Sequence, residues 1–221
     1  MKFENTEVYN IENALRGMRN PLESWGKGDS KNVTLYKRNH MEAYIFKIGE
    51  KDKELAQRLI KAGSEHRKFM RQILISVDIT APLYWWKEFD TYKLGTVANS
   101  TSTMHKLAST PITLDCFETD DYNDDLTMID DQHLGVRISQ WIDDLEQLRQ
   151  RYLQTGDKKY WKELIRWLPE GWTQTRAVTL NYENIYNMIH QRKNHKLKEW
   201  SEDFMNWAKT LSHADDLLFF N

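Results

Sequence analysis

The chain has 221 residues, with 31 Lys or Arg against 33 Asp or Glu and a formal net charge of −2. This balance excludes the broad basic footprint of a protein that grips a nucleic-acid polymer. The 9 Trp, 10 Tyr and 8 Phe exclude a disordered chain, and the single cysteine, Cys116, excludes an intramolecular disulfide.

No apolar run approaches the ~20 residues of a membrane span, so no membrane partner is expected. The opening residues Met-Lys-Phe-Glu-Asn-Thr-Glu lack the positive-then-apolar pattern of a secretory signal, and a cytoplasmic protein is expected. With 4 Pro, 9 Gly and no Ser/Gly-rich stretch there is no visible linker, so a single domain over residues 1–221 is expected. A mean hydropathy of −0.76 beside so many rings fits a core packed by aromatics under helices coated with Lys and Glu.

Gly and Pro punctuate the first 40 residues as loops, at Arg16-Gly17-Met18-Arg19-Asn20-Pro21 and at Ser24-Trp25-Gly26-Lys27-Gly28-Asp29-Ser30. Residues 51–63 read as a helix, with Leu55, Leu59 and Ile60 on one face and Gly63 as its stop. Ile73, Ile75, Val77 and Ile79 alternate with more polar residues, the pattern of a half-buried strand over 73–80. Ala81-Pro82 then opens a helix through Trp85, Trp86 and Phe89. Residues 112–117, around Cys116, read as a short strand carrying an inert packed thiol. Leu134, Ile138, Trp141, Leu145, Leu148 and Tyr152 step by four and three along a long helix that Gly156 ends. A helix from Lys158 to Leu168 stops at Pro169, and a strand from Gln174 to Leu180 follows. Two helices, Glu183 to Arg192 and His195 to Leu211, complete the chain. Strands interleaved with longer helices predict a layered mixed α/β or α+β fold.

Most candidate chemistry is weak. Asp121, Asn123 and Asp125 fall on calcium-loop positions, but Leu126 stands where the loop needs Gly and Gln132 where it needs Glu, so a solvated acidic loop is expected. None of the 7 His pairs at the i, i+4 spacing of a helical zinc site. The Gly26–Ser30 segment lacks P-loop spacing. Two stretches carry more. Asn99-Ser-Thr-Ser102-Thr-Met-His-Lys106 offers amide, hydroxyl, imidazole and ammonium donors that suit an anion, or is an exposed Ser/Thr loop. On a helix starting near Asn181, the amides Asn184, Asn187 and Gln191 cluster beside Arg192, which suits either a planar hydrogen-bonding ligand or an unusually amide-rich surface.

At these residues the chain resembles the flavin-dependent thymidylate synthases. Leu168-Pro169, Asn181, Asn187, Arg192, His195 and Glu199-Trp200 follow the family's order in its C-terminal third, with one residue fewer between Arg192 and His195. Gly63 with His66, the strand 73–80 and Ala81-Pro82 resemble its central third, and Arg16 or Arg19 matches an early family arginine. The family signature R-H-R-x-x-S-x-N-E-x-S-x-R falls on Thr91–Met104, where only Asn99 and Ser102 keep their identities and the final, phosphate-binding arginine is Met104. Lys93 takes the place of the signature's second arginine and Lys87 of an upstream cation.

The resemblance implies an α+β fold, a mixed sheet flanked by helices, in a homotetramer. It implies methylation of dUMP, or a related pyrimidine nucleotide, with FAD as cofactor and NADPH and methylenetetrahydrofolate as co-substrates. Arg192 is the implied catalytic group, stabilising charge on the uracil ring. His66, Lys93, Asn181, Asn187 and His195 are the implied flavin contacts. Lys87, Glu88, Asn99, Ser100, Ser102 and Arg192 are the implied nucleotide contacts. The degenerate signature leaves open a diverged non-catalytic flavin- or nucleotide-binding protein, or an enzyme acting on another pyrimidine nucleotide.

Overall fold

The computed structural model describes residues 1–38, 41–120, 128–129 and 132–220, and the acidic tract read for calcium at Asp121, Asn123 and Asp125 lies outside them. In chain order the elements are β1 (Lys2–Tyr9), α1 (Ile11–Gly17), β2 (Lys31–Arg38), β3 (Met41–Lys47), α2 (Glu50–Lys61), β4 (Leu74–Pro82) and α3 (Leu83–Phe89). Then come β5 (Val97–Ser100), α4 (Thr103–Lys106), β6 (Met128–Ile129), β7 (Gln132–His133), α5 (Leu134–Thr155), α6 (Lys158–Arg166) and β8 (Thr173–Asn181). The chain closes with α7 (Tyr182–Arg192), a π-helical turn Glu199–Phe204, α8 (Met205–Lys209) and α9 (Ala214–Leu217). A four-stranded sheet runs in the order β1-β4-β8-β5, and β2-β3 and β6-β7 form separate antiparallel pairs. The fold is α+β, a mixed set of sheets flanked by helices.

The chain divides into two compact units: a first of residues 1–2, 78–91 and 99–177, and a second of residues 3–77, 92–98 and 178–221. In the first unit, α3 buries Trp85, Trp86 and Phe89, with Trp85 and Phe89 stacked at 5.1 Å. Helices α5 and α6 close over Leu107, Ile112, Ile142, Leu145, Leu164 and Trp172. Arg149, buried on α5, holds Glu146 through Nε and Nη2 and donates from Nη1 to the Ala108 carbonyl at 2.9 Å. Arg149, together with the Ile112 N–H and Gln150, lowers the Glu146 carboxyl to about 2. In the second unit, the core gathers Ile73, Ile75 and Val77 of the strand region, Ala56 and Ile60 of α2, Tyr182, Ile185 and Met188 of α7, and Trp200 and Phe204 beyond it.

The alternating strand and the long stripe appear where the sequence places them. Gly63 (φ +112°) and Gly156 (φ +66°) adopt the left-handed backbone that ends α2 and α5. Three local expectations change. Residues around Cys116 form a 3₁₀ turn, Leu114–Cys116, closed by Cys116 N–H donating to Thr113 O at 3.0 Å, and only Phe117 makes a strand-like bridge, to Trp172. The residues from Asn99 to Lys106 are not one loop: Asn99 and Ser100 finish β5, and Ser102 caps the single-turn α4. The last long helix does not begin at His195. Its ring Nδ1 accepts from Leu197 N–H at 3.2 Å, a local bond that competes with helix, and regular helix begins only past it.

Candidate functional site

A buried carboxylate organises the N-terminal turns of the second unit. Asp52, in the first turn of α2, accepts from Arg19 Nε at 2.6 Å, from the backbone N–H groups of Asp29 and Ser30 at 3.0 and 2.9 Å, and from the Ser30 hydroxyl at 2.6 Å. Asp29 reciprocates, its carboxylate accepting from Lys51 and Asp52 N–H at 3.0 Å and so capping α2. The Arg19 and Asp52 side chains are only 7% and 6% exposed. Burial alone would raise the Asp52 carboxyl, but the bonds from Ser30, Arg19 and Asp29 outweigh it and hold it below the ordinary carboxylate value. The amides of Asp29 and Ser30, on the Gly-rich segment, are thus aimed at the chain's own carboxylate.

Beside this hub lies a cleft of about 690 Å³, with Leu55, Leu59 and Phe69 as apolar lining and Lys27, Arg58 and His66 among its polar lining. Among the described residues these three polar side chains make no hydrogen bond or ion pair, and Lys68 only approaches Glu65, at 3.9 Å. Uncommitted nitrogen donors beside apolar side chains suit a ligand with a flat apolar part and an anionic part. Arg19 lines the same cleft but is bound to Asp52. Arg16 lies outside that lining, its guanidinium 5.5 Å over the Trp25 ring.

The polar face of α7 is different in kind. Asn181 caps the helix: its side chain accepts from Asn184 N–H at 3.0 Å while Asn184 Oδ1 accepts from Asn181 N–H at 3.2 Å. Such a capping box contributes about 1 kcal/mol. Asn184 Nδ2 also donates to the Leu94 carbonyl at 2.7 Å. Asn187 accepts from Arg67 Nη2 at 3.2 Å. Arg67 and Arg71 both bind Glu183, and Arg67 Nε lies 2.9 Å from its Oε1. Burial opposes ionisation of Glu183, but Arg71 and Arg67 prevail and hold its carboxyl below the usual value. The Tyr92 hydroxyl donates to Gln191 Oε1 at 2.8 Å and accepts from Arg192 Nε at 2.9 Å. The Arg192 guanidinium lies 4.9 Å over Trp200 and 5.6 Å over Tyr92. The expected flavin contacts therefore separate: His66 is exposed at the cleft, Asn181 and Asn187 are engaged within the unit, His195 is half-buried, and Lys93 is exposed.

The expected nucleotide contacts other than Arg192 all fall in the first unit. Lys87 is paired with Glu170 at 2.6 Å. Glu88 is half-buried on α3, Asn99 and Ser100 are exposed on β5, and Ser102 Oγ lies 2.8 Å from His105 Nδ1 while accepting from His105 N–H. Gln174 Nε2 donates to Thr101 O and Thr103 Oγ1, steadying this segment. Arg176 lies 4.1 Å over Trp86 and pairs with Asp90 at 2.7 Å.

Sequence reasoning did not single out Arg58, Arg67, Tyr92 or Arg176. An Arg at 58 and Lys at 27 give no local motif. The one available signal was for Arg67, adjacent to His66.

No family model matches the sequence, and no curated protein matches it. Solved structures do. The chain is similar to thymidylate synthase X (ThyX) from Helicobacter pylori with FAD and dUMP: TM-score 0.67, 17% identity, covering 99% of this chain and 97% of that one. A second structure, the flavin-dependent thymidylate synthase ThyX from Helicobacter pylori complexed with FAD and dUMP, gives TM-score 0.65 at 16% identity over 99% and 98% of the two chains. The chain has the fold of the flavin-dependent thymidylate synthases.

Proposed function

We propose that this chain binds FAD in its second unit, at the cleft beside His66, and that it methylates dUMP with methylenetetrahydrofolate as a flavin-dependent thymidylate synthase-like protein. The observation that carries this reading is the cleft itself, where Lys27, Arg58 and His66 stand uncommitted beside Leu55, Leu59 and Phe69. These residues fit a flavin nucleotide: the apolar side chains suit a ring system and the nitrogen donors suit phosphate.

When bound, the flavin supplies the redox chemistry, with reducing equivalents from NADPH. The chain's own residues bind and orient. Arg192 stabilises negative charge on the uracil ring, an oxyanion-type role for a guanidinium already fixed against two rings. Of the other flavin contacts that the resemblance implies, His195 and Lys93 stay in this reading, whereas Asn181 and Asn187 serve by holding the α7 cap and Arg67. Lys87, Glu88, Asn99, Ser100 and Ser102 are the nucleotide contacts that the resemblance implies for the first unit. A homotetramer belongs to the same reading, as does a cytoplasmic location.

A second reading, a non-catalytic flavin- or nucleotide-binding protein, is favoured by the state of the nucleotide set. Lys87 is neutralised by Glu170, and Met104, not an arginine, ends the signature. Lys is a point charge and does not reproduce an arginine's bidentate grip on phosphate. An enzyme acting on a different pyrimidine nucleotide would share the binding half.

Two experiments separate these. Protein mixed with FAD is expected to stay yellow through gel filtration and to bleach with NADPH, whereas colourless protein that takes up no FAD overturns the proposal. Rescue of a thymidine-requiring strain supports turnover. Failure of rescue by well-expressed, flavin-loaded protein selects the non-catalytic reading.

A further inference from the structure

The groups on α7 that a planar ligand would need are met by one short segment of the same unit, Tyr92 to Ala98. Its Tyr92 hydroxyl joins Gln191 and Arg192, and its Leu94 carbonyl takes the Asn184 amide. At Gly95 the backbone turns through φ +75° and passes so close to the helix cap that a Cβ there would stand 2.6 Å from Asn181 Nδ2. Four polar residues, at 181, 184, 191 and 192, thus meet one stretch of seven.

The segment is held in an unusual way. Its apolar side chains do not anchor it: Leu94 is 89% exposed and Val97 70% exposed. Lifting Tyr92 to Thr96 would withdraw little hydrophobic surface from the core, and what opposes release is a few hydrogen bonds and the half-buried Tyr92 ring, 6.2 Å from Trp200. Val97 and Ala98 belong to β5, paired with β8, and form the hinge. Hydrogen bonds exchanged for bonds to water have small net worth, so such a cover can open without unfolding the helix beneath it.

We propose that residues 92–96, hinged on the start of β5, form a releasable cover over the polar face of α7, and that a flat ligand reaches Arg192 only when Tyr92 lifts away. The ligand half of this inference rests on the function proposed above, but the cover itself does not.

The test uses the full chain as wild type, Gly95→Ala and Tyr92→Phe. Gly95→Ala blocks docking by backbone strain and by the clash with Asn181, and Tyr92→Phe deletes both hydroxyl bonds while keeping the ring. Solvent exchange of the Arg192 Nε–H and Asn184 side-chain N–H signals is followed by NMR, then dUMP is titrated. In Gly95→Ala, exchange of both signals is expected to rise at least tenfold, and dUMP to bind about tenfold more tightly than to wild type. Tyr92→Phe leaves the Leu94 carbonyl in place and is expected to raise Asn184 exchange by a similar factor, and that readout carries the test alone if the Gly95 variant fails to fold. Adding dUMP to wild type is expected to speed exchange at Asn184. Unchanged exchange in the variants that fold overturns the cover. Looser dUMP binding in them overturns its role as a barrier, because the segment would then be part of the site. Faster exchange with no binding of dUMP or FAD by any of the proteins upholds the cover and removes the proposed function instead.

Discussion

Two neighbourhoods of the second unit carry the polar groups of interest, and they are built on opposite plans. On α7 the amides and guanidinium have their partners within the unit: Asn184 with Leu94, Gln191 and Arg192 with Tyr92, Asn187 with Arg67. At the cleft, Lys27, Arg58 and His66 have none among the described residues, while the buried pair behind them, Arg19 and Asp52, is fully engaged. The contrast teaches that clustering in sequence identifies where polar groups gather but not whether they are available. A satisfied row must release its own partners before it can meet a ligand, whereas an uncommitted set beside an apolar lining is available at once. Polar groups that are exposed and idle cost the fold little, whereas the same groups buried would have to be paired.

This contrast can be broken most forcefully at Asp52. Asp52→Ala leaves Arg19 buried without its counter-charge and removes the acceptor for two backbone N–H groups, so unfolding free energy is expected to drop by about 3–5 kcal/mol in urea titration. A drop below about 1 kcal/mol would mean that the pair does not organise the cleft wall. Next in size is Glu183→Gln, which removes the common partner of Arg67 and Arg71 and is expected to cost about 1.5–3 kcal/mol. If that variant is as stable as wild type, the α7 row is not structural in the sense argued.

Acid sharpens the comparison. Asp52 and Glu183 are both held below their ordinary carboxyl values. The stability each contributes is complete above its unfolded pKa of about 4 and is lost as pH falls through the lower folded value. Stability is therefore expected to be flat from pH 7 to about 5 and to decline below that, with a shallower decline in Glu183→Gln. An equal decline in the variant would remove Glu183 from the account. The smallest effect on stability is expected from Lys27→Ala with Arg58→Ala, within about 0.5 kcal/mol of wild type, because neither side chain has a partner to lose. The same double variant is expected to weaken FAD binding at least tenfold in an equilibrium titration. Unchanged binding would move the ligand out of the cleft.

Much of the fold was legible because it depends on local periodicity. The alternation Ile73, Ile75, Val77, Ile79 is buried residue for residue, and Gly63 and Gly156 stop helices where a left-handed backbone is needed. The amide cluster on α7 was legible as a cluster for the same reason. Its destination was not, since Tyr92 stands 100 positions before Arg192 and Arg67 stands 120 before Asn187, and no spacing rule reaches that far. The cleft was represented by His66, by Arg19 and by Lys27 within the Gly26–Ser30 segment, with nothing in the sequence to join them. Lys27 and Arg58 became its polar lining because chain segments distant in sequence converge, which is a property of the fold and not of any motif. Trp141 shows the converse limit: it belongs to a flawless helical stripe and yet stands 41% exposed.

The π-helical turn at Glu199–Phe204 sets a phase that later residues inherit. Trp200, Phe204 and Trp207 follow one another in ring contact, at 5.3 and 5.7 Å, and Trp207 stacks on Phe3 at 4.7 Å. A wide turn holds one residue more than the α-helix that would replace it. Deleting a single residue there would rotate everything downstream by about 100° around the helix axis, turning Trp207 away from Phe3 while leaving the composition nearly untouched. The number of residues in that turn therefore fixes the phase of Trp207 as firmly as the buried Trp200 and Phe204 fix its packing.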